Sequence, residues 1–171
     1  MKRSGRTLKQ RLYGLKHLSS RLRRARYFRG HGVHSPYIYN IVRQVFMRST
    51  PISSDHALYD ALQCKDIKHR RALQLQNLCT FCDYSSWSID KLTEDVSLLI
   101  ATLDVAADHL AYYAQRATEI GATLCIIAPY HDATRWEACS AIIEAHHSTS
   151  VDNRGYLLLF NNHLPKQRFR L

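Results

Sequence analysis

Leu8, Leu12, Leu15, Leu18 and Leu22 recur at spacings of three and four, which place them on one face of a helix over residues 8–29. Gly14 weakens that helix slightly. Gly30-His31-Gly32 ends it, because two glycines make continuation costly. Ser35-Pro36 then reads as an N-cap followed by proline at the first helical position. The helix it opens runs to about Met47, with Tyr37, Ile38, Ile41, Val42, Val45 and Phe46 as its apolar face. Residues 49–54, with Pro51 among them, form a loop. A third helix starts at Ser54 or Asp55 and runs to about His69, with Leu58, Leu62 and Cys64 or Ile67 inward.

Residues 70–88 read two ways. Leu73-Gln74-Leu75-Gln76 alternates like a half-buried strand, and the same residues also extend a helix. Residues 84–88 look turn-like. Beyond Asp95 the pattern is unambiguous. Residues 96–103 form a buried strand, and 104–120 a helix closed by Gly121 at the position after its last turn. Residues 122–128 form a second buried strand, stopped by Pro129, and Asp132 caps a helix to about His147. Three short strands follow at 148–151, 155–160 and 167–171, the first two joined by the turn Asn153-Arg154-Gly155. Strands alternating with helices predict parallel pairing, while the closely spaced last strands predict antiparallel pairing. The expectation is a basic helical extension over 1–54 and an α/β domain over 55–171.

Charge sharpens that division. The first 54 residues hold thirteen Lys/Arg and no acid, and all fourteen Asp/Glu lie in the rest of the chain. The formal charge of +10 therefore splits into +13 and −3. Segregation of this kind speaks about partners, since one strongly positive region attracts phosphates or anionic lipid. The 171 residues, 46% apolar, suffice for one domain with a core. No apolar run reaches the ~20 residues of a membrane-spanning helix. Five cysteines, an odd number, fit reduced thiols in a cytoplasmic protein better than a disulfide framework. The acid-free, Arg-rich N-terminus also has the composition of a mitochondrial transit peptide. It has no apolar segment of the secretory kind after its charges.

Candidate chemistry is sparse. In open α/β sheets ligands bind where a strand passes into a helix, and two such junctions carry acids: Thr102-Leu103-Asp104 and Ala128-Pro129-Tyr130-His131-Asp132. Asp104 or Asp132 there holds a ribose or a metal, or caps the following helix. His131 is a general-base candidate. No closely spaced glycines separate a strand from a helix, so no loop is predicted to cradle a phosphate through backbone amides. The six glycines are Gly5, Gly14, Gly30, Gly32, Gly121 and Gly155. Cys79-Thr80-Phe81-Cys82 is a lone CxxC, whereas a structural zinc site commonly uses two such pairs, so no metal is expected. No G-x-S-x-G or Cys/His/Asn arrangement points to covalent catalysis. Arg21, Arg23, Arg24, Arg26 and Arg29, with Tyr27 and Phe28 among them, suit single-stranded nucleic acid or form the wet face of a packed helix.

The segment His31-Gly32-Val33-His34-Ser35-Pro36-Tyr37, directly after a basic helix, resembles the HGVHSPF-like signature of class I S-adenosylmethionine-dependent methyltransferase-like proteins of Bacteroidetes-type bacteria. The tail is similar to that group too. Thr134-Arg135-Trp136-Glu137, Thr149-Ser150-Val151-Asp152, the run from Gly155 to Phe160, and Leu164-Pro165-Lys166-Gln167 follow its order, as does a strand ending in Asp104 before Tyr112-Tyr113. The similarity covers most of the chain outside about 58–94.

The resemblance implies an incomplete Rossmann-like methyltransferase sheet, parallel strands plus C-terminal antiparallel ones, behind the basic helices. In that group the interval 58–94 should hold the first strands, the glycine-rich cofactor loop and the acid for the ribose. Here it is short and glycine-free. Where the group has a DDIH-like run this chain has Ala128-Pro129-Tyr130-His131, so only His131 carries over. The implied protein is a degenerate relative without catalytic residues or bound cofactor. Asp104 and His131 are its weak cofactor-site candidates. The alternative is an RNA-binding module built on the basic helices. Loss of the first strands also predicts an apolar edge at 96–103, which residues 73–81 pair with, the N-terminal helices cover, or a second copy joins as a homodimer. Because the signature follows the basic helix directly, as it does in that group, the helix is expected to be permanent structure rather than a leader.

Overall fold

A computed structural model describes residues 34–171. The helix over 8–29, the arginines from Arg21 to Arg29, and His31 and Gly32 of the signature lie outside the described residues.

Ser35 caps the first described helix as its sequence predicts. Its Oγ accepts from Ile38 N at 3.4 Å, and Pro36 opens α1 (Pro36–Ile41). The chain continues as a π-helical turn (Val42–Phe46). Next come α2 (Ala57–Gln63), α3 (His69–Phe81), β1 (Trp87–Ile89), β2 (Leu98–Ala101), a 3-10 turn (Ala107–His109) and α4 (Leu110–Glu119). β3 (Thr123–Ile127), α5 (Ala133–Ala145), β4 (Ser150–Asp152), β5 (Tyr156–Leu159) and β6 (Arg168–Arg170) complete it. The strands form one sheet in the order β1-β2-β3-β5-β4-β6. β1, β2 and β3 are mutually parallel, β5 is antiparallel to both its neighbours, and β6 is parallel to β4.

Alternation along the strands builds two cores. Leu98, Ile100, Cys125, Ile127, Tyr156 and Leu158 face α1, its π-helical turn, α2 and α3. Leu99, Ala101, Leu124, Ile126, Leu157 and Leu159 face α4 and α5. Helices on both faces explain why β2, β3 and β5 are buried at every position and read as continuous apolar runs. Ile38, Ile41, Val42, Val45 and Phe46 belong to the first of these cores, so residues 36–46 pack as part of the sheet domain.

Several expectations change. The alternating 73–76 segment is helical, within α3. Its amides are buried because they bond to neighbouring segments. Gln74 Nε2 donates to Phe46 O (2.8 Å), Gln76 Oε1 accepts from Tyr59 N (3.0 Å), and Asn77 Oδ1 accepts from Ile52 N (2.9 Å). The third helix ends at Gln63 rather than near His69, and Cys64 is exposed while Ile67 is buried. The turn-like 84–88 segment contains strand β1. Consequently β2 is internal, paired on both sides, and is not the sheet edge. The edges are β1 and β6. Arg168 and Arg170 guard β6, since edge charges discourage further pairing. Gly121, at φ +69°, ends α4 as its position predicts.

The β1–β2 connection is unusual. Parallel neighbours normally need a crossover of a dozen or more residues, most often a helix. Here residues 90–97, eight in all and without a helix, make the return. The turn starts at Asp90 in the left-handed region, φ 57°. Ser88 Oγ donates to Lys91 O (2.7 Å), Ser86 Oγ to Asp95 O (2.9 Å), and Tyr113 OH on α4 to Asp90 O (2.8 Å). These bonds hold the short loop against the second core's face of the sheet.

Candidate functional site

Five of the six strands run the same way, so the carboxyl ends of β1, β2, β3, β4 and β6 share one edge of the sheet. That edge is where an open α/β sheet holds ligands. In this chain it is occupied by the protein's own charged groups.

At the β1–β2 end, Asp90 is the organising residue. Its Oδ1 accepts from Thr102 N (2.6 Å) and its Oδ2 from Thr102 Oγ1 (2.7 Å). Lys65 Nζ donates to Asp90 Oδ2 at 2.9 Å and to Asp104 Oδ2 at 3.1 Å. The hydrogen bond to Asp90, then that to Asp104, raises the Lys65 pKa above its ordinary value. Asp104 is therefore an ion-pair partner and does not cap α4. That helix begins at Leu110, with no side-chain cap on its first turn.

At the β2–β3 end sits Arg135, 3% exposed. Its NH1 donates to Val105 O and one NH2 bond goes to Thr102 O, both at 2.8 Å. Ile127 O accepts from NH2 at 3.2 Å and from Nε at 3.3 Å. Burial lowers its pKa, while the fields of Cys139, Asp132 and Asp90 oppose that shift. The guanidinium fork joins carbonyls after β2 to the last carbonyl of β3 and fills the space between those ends.

Asp132 is a cap: its Oδ1 accepts from Arg135 N at 2.8 Å at the start of α5. His131 lies in the turn after β3, where its N–H donates to Ala128 O (3.0 Å) and Ala128 sits at φ 50°. Next to it Tyr130 stacks on Trp136, with ring centroids 4.4 Å apart, and its hydroxyl donates to Asp152 Oδ2. Asp104 thus turns to Lys65, and His131 belongs to a different strand end. His34 and Ser35 of the signature precede α1, where Ser35 is the cap.

The CxxC is structural. Cys79 Sγ donates to Tyr84 O (3.3 Å), and Cys82 Sγ lies 3.3 Å from Tyr37 OH. Burial pushes both thiols up, Cys79 to about 11, so neither is held as the nucleophilic thiolate. Among the described residues no group of three or more His, Cys, Asp or Glu is placed to hold a metal ion. No described helix is long and apolar enough to cross a membrane.

Lys65 and Asp90 escaped the sequence reading, and Arg135 entered it only as part of the Thr134–Glu137 run, without a role. Asp90 follows a three-residue strand that carries no periodic signal. Lys65 follows a helix end like any surface lysine. Arg135 falls in the first turn of a capped helix, where an arginine ordinarily points to water. No family model, curated protein or solved structure matches the chain.

Proposed function

We propose that this chain is a degenerate member of the S-adenosylmethionine-dependent methyltransferase-like group, a Rossmann-like domain that does not transfer methyl groups. The eight-residue crossover carries this reading. A parallel pair joined without a helix is what remains when the intervening helix and strands are removed. The strand order supports it as well. Nucleoside cofactors sit where the order of a doubly wound sheet reverses, and β1, β2 and β3 step in a single direction. Lys65 and Arg135 occupy the strand ends on either side of β2. The expected loss is smaller than the sequence implies, because one strand, β1, lies in the interval read as deleted.

The test is incubation of the full chain with S-adenosylmethionine labelled in its methyl group, with protein, RNA and small-molecule acceptor pools. No transfer above the buffer rate is expected, and saturable transfer overturns the reading.

A second reading has its own observation, the thirteen Lys/Arg and no acid in residues 1–54. It makes the chain an RNA-binding module through Arg21, Arg23, Arg24, Arg26 and Arg29. It predicts affinity falling steeply with salt, because bound phosphates release counterions. Affinity unchanged by alanine at these arginines removes it.

A further inference from the structure

We infer that the outer edge of β1 is a self-association surface: a second copy of this chain adds its own β1 there, antiparallel, about a two-fold axis at Ser88. The inference rests neither on the methyltransferase ancestry nor on residues 1–33.

The backbone along this edge is open in a defined phase. Leu98 N donates to Ser86 O (3.2 Å) and Asp90 N to Ile100 O (2.8 Å). Alternate residues of a strand bond to the same neighbour, so Ser86, Ser88 and Asp90 turn their N–H and C=O groups to β2. Trp87 and Ile89 turn theirs outward, where no described strand follows. The other edge, β6, carries arginines on both sides of Phe169. The run Ser85-Ser86-Trp87-Ser88-Ile89 holds no charge and no proline. Of the devices that stop edges from pairing, β1 has only its shortness.

A second copy fits this phase. Opposed residues of an antiparallel pair exchange both bonds when both point across. A two-fold axis at Ser88 sets Trp87 against the second copy's Ile89, and Ile89 against its Trp87, so every outward group of β1 gains a partner. The contact is isologous and closes on itself. Trp87 and Ile89 stand half-buried on the first core's face. Across the new ladder they make an aromatic and β-branched pair, a favourable cross-strand combination. Ser88 falls in the non-hydrogen-bonded pair at the axis, where side chains come closest. Its side chain is small, and its Oγ already donates to Lys91 O.

Charge fits the antiparallel direction. The amino end of β1 carries two acids: Asp83 precedes the strand, and Asp95 is held beside Ser86, whose Oγ donates to Asp95 O. Lys91 follows the carboxyl end. All three are exposed, and none forms a salt bridge among the described residues. The neighbouring acids are engaged, Asp90 with Thr102 and Lys65, and Glu94 with Arg116 at 3.9 Å. Antiparallel pairing brings each carboxyl end to the other copy's amino end, so each Lys91 approaches the second copy's acids. Pairing in the parallel sense would set like charges together. An edge this short makes a small contact, so the dimer is weak and depends on concentration.

The test is sedimentation velocity of the full chain from micromolar to submillimolar concentration. The wild type is expected to rise from the 19.8 kDa of one chain toward twice that mass. Ile89→Pro removes the outward N–H and no bond to β2, and edge strands admit proline at such a position. Ile89→Ala trims the same apolar side chain and keeps the N–H. The dimer dissociation constant should rise at least about ten-fold in the proline variant, the loss of one edge hydrogen bond from each copy, and less in the alanine variant. Lys91→Glu should weaken the dimer, and Lys91→Glu with Asp95→Lys should recover it. Unchanged thermal midpoints show that the variants fold. If the proline variant's midpoint falls, the charge pair decides alone. A wild type that stays monomeric throughout overturns the proposal, leaving the edge to residues 1–33 or a foreign strand. A dimer left intact by Ile89→Pro overturns it too, as does equal weakening by proline and alanine. A double charge variant no tighter than Lys91→Glu overturns the antiparallel direction.

Discussion

Arg135 is the residue on which the strand-end architecture turns. Its guanidinium reaches three carbonyls from one buried position, 3% exposed. Truncation leaves those acceptors without their charged donor, and unsatisfied buried polar groups cost roughly 1–3 kcal/mol each. Arg135→Leu is expected to lose about 3 kcal/mol or more in urea unfolding. Arg135→Lys should lose much of the same, because a single ammonium cannot reproduce the planar fork. A lysine variant as stable as wild type would remove the clamp from the account. His146 supplies a pH test at the same scale. Burial, the largest influence, depresses its pKa below the ordinary 6.5, and its Nε2 lies 3.0 Å from Phe160 O. The unfolded chain then takes up the proton first. Stability is full above about pH 6.5 and falls as the pH drops below it. His146→Gln keeps a donor for Phe160 O and removes the titration. Urea midpoints at about pH 7.5 and 5.5 should therefore differ less in the variant than in wild type. An identical pH dependence contradicts the assignment.

Among the elements, the capped helix and the uncapped one make a matched pair. Asp132 and Asp104 each follow a buried strand in sequence and look alike there. The structure separates them, since Asp132 bonds the Arg135 amide while Asp104 pairs with Lys65. Asp132→Ala is expected to cost about 1 kcal/mol, and Asp104→Ala no more than about 0.5 kcal/mol, the scale of an exposed ion pair. Thermal unfolding of both variants checks the contrast, and equal losses would refute it. The same comparison shows what the chain reveals of its fold. β2, β3 and β5 were legible because burial on both faces leaves an unbroken apolar run with turn residues at each end. α5 and the Gly121 stop were legible because caps are local. α3 read equally as a strand because its buried amides, Gln74, Gln76 and Asn77, bond to segments far away in sequence. β1 is three residues within a serine-rich stretch and offers no period to read.

For the whole molecule, the sheet is one in which every parallel step goes the same way, with a crossover too short for a helix. The helices α1, α2 and α3 cover the face opposite α4 and α5, so the domain keeps two buried cores despite the short crossover. Of the candidate site, the cap at Asp132 was legible because it is local, whereas the turn of Asp104 toward Lys65 was not. The groups that sit at the strand ends, Lys65, Asp90 and Arg135, come together only through folding. The most direct measurement of the central claim is titration calorimetry of the full chain with S-adenosylmethionine. The account predicts dilution heat alone at millimolar ligand, and saturable one-to-one heat at micromolar affinity would contradict it.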